Sequence, residues 1–220
     1  MRKIIEEKDP LEVVGCARGH SYEEFIHNLP RHCNFYPALI QQINKIPEVV
    51  LRNSGTPIAK KVNRMMREIS KESYRAMQFT RTEINNRGVL FGIVSIKHKV
   101  MDRVLNYFHK RWPECIICLY NEHTHKTSTI DEKGIIRKID SPLKTVVEKA
   151  SKNRPLIPYF DDIQFSGKEI FETLYSSQFI SERENQKYFK KMIPEKCYEL
   201  PGMRSGIEKR FRNKRINDFI

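Results

Sequence analysis

Residues 85–121 read "NNRGVLFGIVSIKHKVMDRVLNYFHKRWPECIICLYN", and the hydrophobic period changes twice along them. Asn85 to Gly88 carry turn chemistry, and "VLFGIVSI" is an apolar run of strand length rich in branched side chains. Val100, Met101, Val104, Leu105, Phe108 and Trp112 then recur at helical spacing until Pro113 stops them. "ECIICLYN" returns to strand character. A strand, a helix and a strand in that order decide the class of the fold.

Working outward, "MQFTRTEI" before the "NNRG" turn predicts a strand from Met77, pairing with "VLFGIVSI" as a hairpin. "HKTSTID" and "IIRKID", separated by "EKG", predict two more strands after "ECIICLYN". Asp140 or Ser141 with Pro142 opens a helix to about Lys152. Beyond "NRPLIPYFDD", Ser166 and Glu169 form a capping-box pattern, and further helical stretches run to Pro194. The expected fold is α+β: an antiparallel sheet built from two hairpins around a helix, followed by a helical C-terminal part.

Upstream, Ile58, Val62, Met65, Met66 and Ile69 follow a period near 3.6, while Lys60, Arg64, Arg67, Lys71 and Arg75 recur every three or four residues. At about 100° per residue the cations fall in a sector of roughly 80°, nearly opposite the apolar set. One helix would bury one face and present a cationic ridge. A break at Ser70, which can cap a second helix, is the competing reading and would rotate Lys71 and Arg75 off the ridge.

Residues 1–55 are the least readable part, because the prolines of "NLPRHCNFYP" interrupt any long helix. "RNSGTP" at 52–57 marks a turn and a subdomain boundary, residues 56–203 form the core, and 204–220 form a basic helix or arm. Six Lys or Arg lie between 204 and 215, among them Lys209, Arg210 and Arg212.

The chain of 220 residues carries 40 Lys plus Arg against 27 Asp plus Glu, a net charge of +13. A field of that sign attracts polyanions, with nucleic acid first among them. No stretch reaches the roughly 20 apolar residues of a membrane span, and "MRKIIEEKDP" is too charged for a signal peptide, so a cytoplasmic protein is expected. Five scattered cysteines suit reduced thiols better than a disulfide framework.

Motifs for other chemistry are thin. "CIIC" at 115–118 lies in a predicted strand, where residues three apart point to opposite faces, so both cysteines read as small buried hydrophobes. Cys16, His20, His27, His32 and Cys33 are soft ligands without the usual short cysteine spacing, and no metal site or other cofactor is assigned. His123 and His125 read as an exposed turn; Asp161 and Asp162 are paired acids that could bind a divalent ion or do acid/base work, with turn residues before a helix the preferred reading. No phosphate loop, dinucleotide fingerprint or nucleophile elbow occurs. His98, between Lys97 and Lys99 where strand meets helix, is a candidate for acid/base catalysis, its neutral form favoured by the neighbouring cations.

Three segments resemble a family of unknown function assigned to DNA metabolism, found fused to uracil-DNA-glycosylase-like domains or encoded with a radical-SAM protein of DNA modification or repair. "ESYRAMQFTR" is similar to the family's Glu-Ala-His-Arg-Met-x-x-Phe-Val-Arg run, with Glu72, Arg75, Phe79 and Arg81 in matching places. Tyr74 and Ala76 depart from that run, replacing its histidine and methionine. "HKVMDRVLNYFHKRW" resembles a His-His-Val-Leu helix ending Phe-x-Arg-Arg-Phe, through His98, Val100, Phe108 and Arg111. "FETLYSSQFISERENQKYFKKMIPEKCYELPGM" matches a third segment through Thr173, Tyr175, Ser177, Phe179, Arg183, Pro194, Leu200 and Pro201.

The resemblance spans about residues 60–205 and implies nucleic-acid modification or repair beside another enzyme. On the binding reading, Lys60, Arg64, Arg67, Lys71, Arg75, Arg81, Arg111, Arg183, Lys209, Arg210 and Arg212 contact phosphates, while Tyr74, Phe79 and Tyr175 stack on bases. DNA is favoured over RNA as the partner. On an enzymatic reading, His98 moves a proton while Arg75, Arg81, Arg111 and Arg183 grip the substrate. A third reading directs the cationic face at an acidic protein, such as the radical-SAM enzyme itself.

Overall fold

A computed structural model describes residues 20–152 and 154–157, together with positions 177, 188, 191–193, 197, 198, 200 and 203. The chain divides into two compact units, Met1–Tyr74 with Lys97–Val100, and Arg75–Ile96 with Met101–Ile220.

The described part of the first unit is helical. Ser21 opens α1 (Tyr22–Asn28) with a capping box: its hydroxyl accepts the Glu24 N–H, and the Glu24 carboxylate accepts the Ser21 N–H. A 3₁₀ turn follows at Leu29–Arg31, where Pro30 prevents the first helix from continuing. The short helices α2 (Ala38–Ile43) and α3 (Glu48–Arg52) lead to α4 (Pro57–Phe79). Thr56 caps α4 by accepting the Ala59 N–H, and Pro57 takes the first helical position, where its missing N–H costs nothing.

Burial of Phe25, Leu29, Leu39, Ile43, Leu51, Ala59, Val62, Met65 and Met66 forms one core. Helices this short are marginal alone, so this shared apolar cluster is what holds α1 to α3 in place. Asn63, buried on α4, donates to the carbonyls of Leu51 and Ala59 and fastens the end of α3. Lys97–Val100 joins the unit through Arg31, whose carbonyl accepts the Lys99 N–H at 2.7 Å and whose guanidinium donates to the Lys99 carbonyl.

Two sequence expectations change on α4. Ser70 does not cap a second helix, because 23 residues run unbroken from Pro57. The predicted strand from Met77 is also corrected, since Met77 to Phe79 complete α4 and the strand begins only at Thr82. Extending an existing helix costs no new nucleus, so a period-two pattern of three residues is overridden.

The second unit is α+β around a five-stranded sheet ordered β1-β2-β3-β4-β5: Thr82–Ile84, Val89–Val94, Ile116–Asn121, Lys126–Ile130 and Ile136–Ile139. Three of the four pairings are antiparallel; β2 and β3 run parallel in register from Val89–Ile116 to Val94–Asn121. The sheet is therefore mixed where an antiparallel one was expected. Parallel neighbours need a crossover, and α5 (Met101–Arg111) supplies it.

The turn between β1 and β2 uses Gly88 at φ +68°, and the Asn85 side chain accepts the N–H groups of Arg87 and Val89. α6 (Leu143–Lys152) packs Val146 against Val89 and Cys118, with Phe91, Ile116 and Ile139 around them. The alternate residues Ile117 and Leu119, also buried, point to the opposite face of β3. Burial on both faces explains why "CIICL" reads as a continuous apolar run. Asn121 closes this strand end, its amide pairing with both the N–H and the carbonyl of Ile96.

The expected C-terminal helices, with Ser166, Glu169, Asp161 and Asp162, lie outside the described residues, as does the basic tail. Among the described residues no helix is long and apolar enough to cross a membrane.

Candidate functional site

Within the first unit, three separated stretches meet: His32 and Cys33 after the 3₁₀ turn, Glu68 and Glu72 on α4, and His98 in the 97–100 segment. Glu68 and Glu72 are four residues apart, so both carboxylates lie along one side of the helix. Each engages a different partner.

Glu72 accepts two backbone N–H groups, from Lys97 at 3.0 Å and His98 at 2.7 Å. A carboxylate holding adjacent amides fixes the backbone that carries the imidazole, and charge-assisted bonds of this kind are the strong ones. Glu68 holds the other imidazole. His32 Nε2 lies 2.9 Å from Glu68 Oε2, while Arg64 Nε donates to Glu68 Oε1 at 2.9 Å. The His32 hydrogen bond, then the Arg64 hydrogen bond, lower the Glu68 pKa below the usual glutamate value, against a smaller opposing effect of burial.

Backbone amides select the tautomers. The Asn34 N–H donates to His32 Nδ1 at 3.1 Å, which leaves the proton on Nε2, directed at Glu68. The Cys33 N–H donates to His98 Nδ1 at 3.2 Å, so a neutral His98 carries its proton on Nε2, which has no hydrogen-bond partner among the described residues. The two rings lie with centroids 4.3 Å apart and planes at 33°. His32 is buried, His98 half-buried and Cys33 exposed.

His98 has a lowered pKa. The chief cause is burial, which disfavours the imidazolium; His32 and Lys97 add to it, and Glu72 and Glu68 oppose it. Neighbouring lysines alone account for the expected direction in the sequence reading, yet Lys97 is the smallest of these contributors.

The cationic ridge has a clear placement on α4. Lys60, Arg64, Arg67 and Lys71 are exposed, opposite buried Val62, Met65, Met66 and Ile69. Arg64 is the member of this set that pairs with a carboxylate among the described residues; Arg67 donates to the Asn63 carbonyl. Tyr74, at the end of the first unit, is half-buried.

The remaining described candidates belong to the second unit. Arg75 and Phe79, the last part of α4, are half-buried, and Arg81 is exposed, donating to the Gln78 carbonyl at 3.2 Å. Exposed Arg111 donates to the Tyr107 hydroxyl at 2.8 Å and lies over that ring. Exposed Trp112 beside it was no stacking candidate in the sequence, where helical spacing assigned it to the core. Cys115 and Cys118 are both buried, and burial pushes Cys118 up to about 12, so both thiols stay protonated. His123 and His125 are exposed. Tyr175, Arg183, Lys209, Arg210 and Arg212 lie outside the described residues.

Sequence reasoning singled out His98 but gave no role to Glu68 or to the pairing with His32. Their separations of 36 and 65 residues or more in the chain leave no local pattern. The only linear hint is the resemblance, which marks both Glu72 and His98.

The family described as Domain of unknown function (DUF4130) matches residues 31–200. The chain belongs to that family. No curated protein and no solved structure matches it. The DUF4130 span reaches back well beyond the resemblance at about 60–205 and takes in His32 and Cys33, formerly part of an unreadable segment. All members of the imidazole–carboxylate cluster therefore fall inside the DUF4130 domain.

Proposed function

We propose that this DUF4130 protein binds nucleic acid, DNA in preference to RNA, as part of a modification or repair reaction carried out with a partner enzyme of the radical-SAM or glycosylase-like kind. The observation that carries this reading is the exposed row Lys60, Arg64, Arg67 and Lys71 on one straight face of α4, of which one member is neutralised by a neighbouring acid. Phosphates spaced along a backbone suit such a row, and a protein of net charge +13 adds long-range attraction. Arg81 and Arg111, and the exposed ring of Trp112, extend the reading to the second unit as candidates for phosphate contact and stacking.

The test is a salt titration of binding to single- and double-stranded DNA and to RNA of the same sequence. Binding weakens with salt on a log-log plot by about 0.9 per phosphate neutralised on duplex DNA. Replacing Lys60, Arg67 and Lys71 with Gln lowers that slope by about one per contact removed. Binding indifferent to salt between roughly 50 and 200 mM would overturn the reading. Co-purification with and without nuclease treatment separates a nucleic-acid partner from an acidic protein partner.

A second reading, a nucleic-acid-processing enzyme with His98 as the proton-transfer group, is favoured by one observation. His98 is held neutral, its backbone anchored by Glu72 and its Nε2–H left without a partner among the described residues. In that tautomer Nε2–H offers a hydrogen bond to a substrate oxygen, and the ring acts as a base through Nδ1 once the Cys33 amide gives it up. Turnover of uracil-containing or damaged DNA that disappears in His98→Ala with binding intact would support it; an inert protein that binds normally would exclude it.

A further inference from the structure

We propose that His32, Cys33 and His98 form a binding site for one zinc-class divalent ion, using two imidazole nitrogens and one thiolate, with Glu68 orienting His32 from behind. One ligand atom from each of these three residues lies within 4.8 Å of the other two. Two nitrogens and a sulfur are the donor set of zinc, and three protein ligands leave a fourth position open to water or substrate.

The surroundings are those of a supported ligand set. Glu68 receives the His32 Nε2–H while Arg64 steadies its second oxygen, so the His32 lone pair lies on Nδ1, the atom that would coordinate. A carboxylate on the far nitrogen of a ligating histidine fixes its tautomer and raises its basicity. Glu72 fixes the backbone of His98 through two amides. Cys33 is the exposed one among the four described cysteines, so its sulfur can swing toward the two rings.

Both Nδ1 atoms are occupied by the amides of Cys33 and Asn34 at 3.2 and 3.1 Å. These are neutral contacts at the long end of the hydrogen-bond range, and they also show that both lone pairs face the same short segment. Coordination through Nδ1 exchanges these two bonds for metal–nitrogen bonds. It releases the Cys33 thiol proton to solvent.

The inference does not rest on nucleic-acid binding, and its test contains no nucleic acid. The full chain, stripped of metal with a chelator under reducing conditions, is titrated with Co²⁺ as an optical probe and then with Zn²⁺ as competitor. The expected result is one equivalent bound, with a thiolate-to-cobalt charge-transfer absorption that Zn²⁺ removes. Cys33→Ser abolishes that absorption and His98→Ala weakens binding, both at positions away from the buried core. Glu68→Gln weakens binding by about 10–100-fold, the usual effect of losing an orienting partner. His123→Ala with His125→Ala, on an exposed turn, leaves it unchanged. Absence of a charge-transfer band, or a band indifferent to Cys33→Ser and His98→Ala, would overturn the proposal. The Lys60, Arg67 and Lys71 variant retains the metal, so failure at this site and failure of nucleic-acid binding are separately visible.

Discussion

Cys118 of the second unit is fully buried between β2 and α6, and burial holds its thiol protonated; Cys33 of the first unit is exposed beside two imidazoles. The same contrast runs through the neighbouring side chains. The second unit derives its order from an apolar sheet covered on both faces, with buried Ile117, Leu119, Val89 and Val146. In the first unit, beside a helical core, the segments at 31–33 and 97–99 are joined to α4 by carboxylates holding imidazoles and amides. Apolar packing tolerates approximate chemistry and punishes lost volume; polar joints tolerate volume and punish lost partners.

That contrast makes predictions of graded size. Leu119→Ala, with no exposed surface to relax into, should cost about 2–5 kcal/mol, read as a drop in the denaturation midpoint. Asn121→Ala leaves both polar groups of Ile96 without their partner in a buried place and should cost about 1–3 kcal/mol, whereas a loss below this would mean water replaces the amide.

Glu72→Ala should have a comparable or smaller effect on stability but a local signature. Faster hydrogen exchange is expected at the Lys97 and His98 amides, with the sheet amides unchanged. Loss of protection throughout the sheet would mean the polar joint is not separable from the apolar core.

Between about pH 7 and 5, acidification should act on the first unit through His98. His98 has a folded pKa below its ordinary value near 6.5, so the unfolded chain binds the proton more readily. Its stabilisation is complete above about pH 6.5 and is lost as the pH falls from there toward the lowered folded value. Glu68, also lowered, contributes above the ordinary glutamate range and loses its contribution at more acid pH. His98→Asn should flatten the upper part of this decline in chemical-denaturation experiments between about pH 7 and 5; an unchanged slope would assign it elsewhere. Smallest of all, Lys60→Gln, Arg67→Gln and Lys71→Gln should each change stability by less than about 0.5 kcal/mol, while their effect on polyanion binding is measurable by salt titration.

Where local chemistry and tertiary structure agree, the elements were legible in the chain. α4 through Ile69, α5 and β3 follow their hydrophobic periods, and the turns at Gly88 and Gly134 sit where glycine is needed for positive φ. Misreadings occurred where short patterns competed with longer elements. Met77 to Phe79 alternate like a strand but extend a helix already formed, and Ser70 lies on a helix face without interrupting it. Trp112 fits the spacing of α5 yet is exposed one residue beyond its end. The imidazole–carboxylate cluster was legible only through His98 and the motif residue Glu72.

Periodicity, turn residues and net charge are written in neighbouring side chains, because each depends on interactions within a few positions; they suffice for an α+β class, a cationic helix face and a buried cysteine strand. The parallel pairing of β2 with β3, and the meeting of His32, Glu68 and His98, depend on loop closures that unite residues remote in the chain. Such contacts are selected by the packing of the folded units and leave no repeating mark in the order of amino acids.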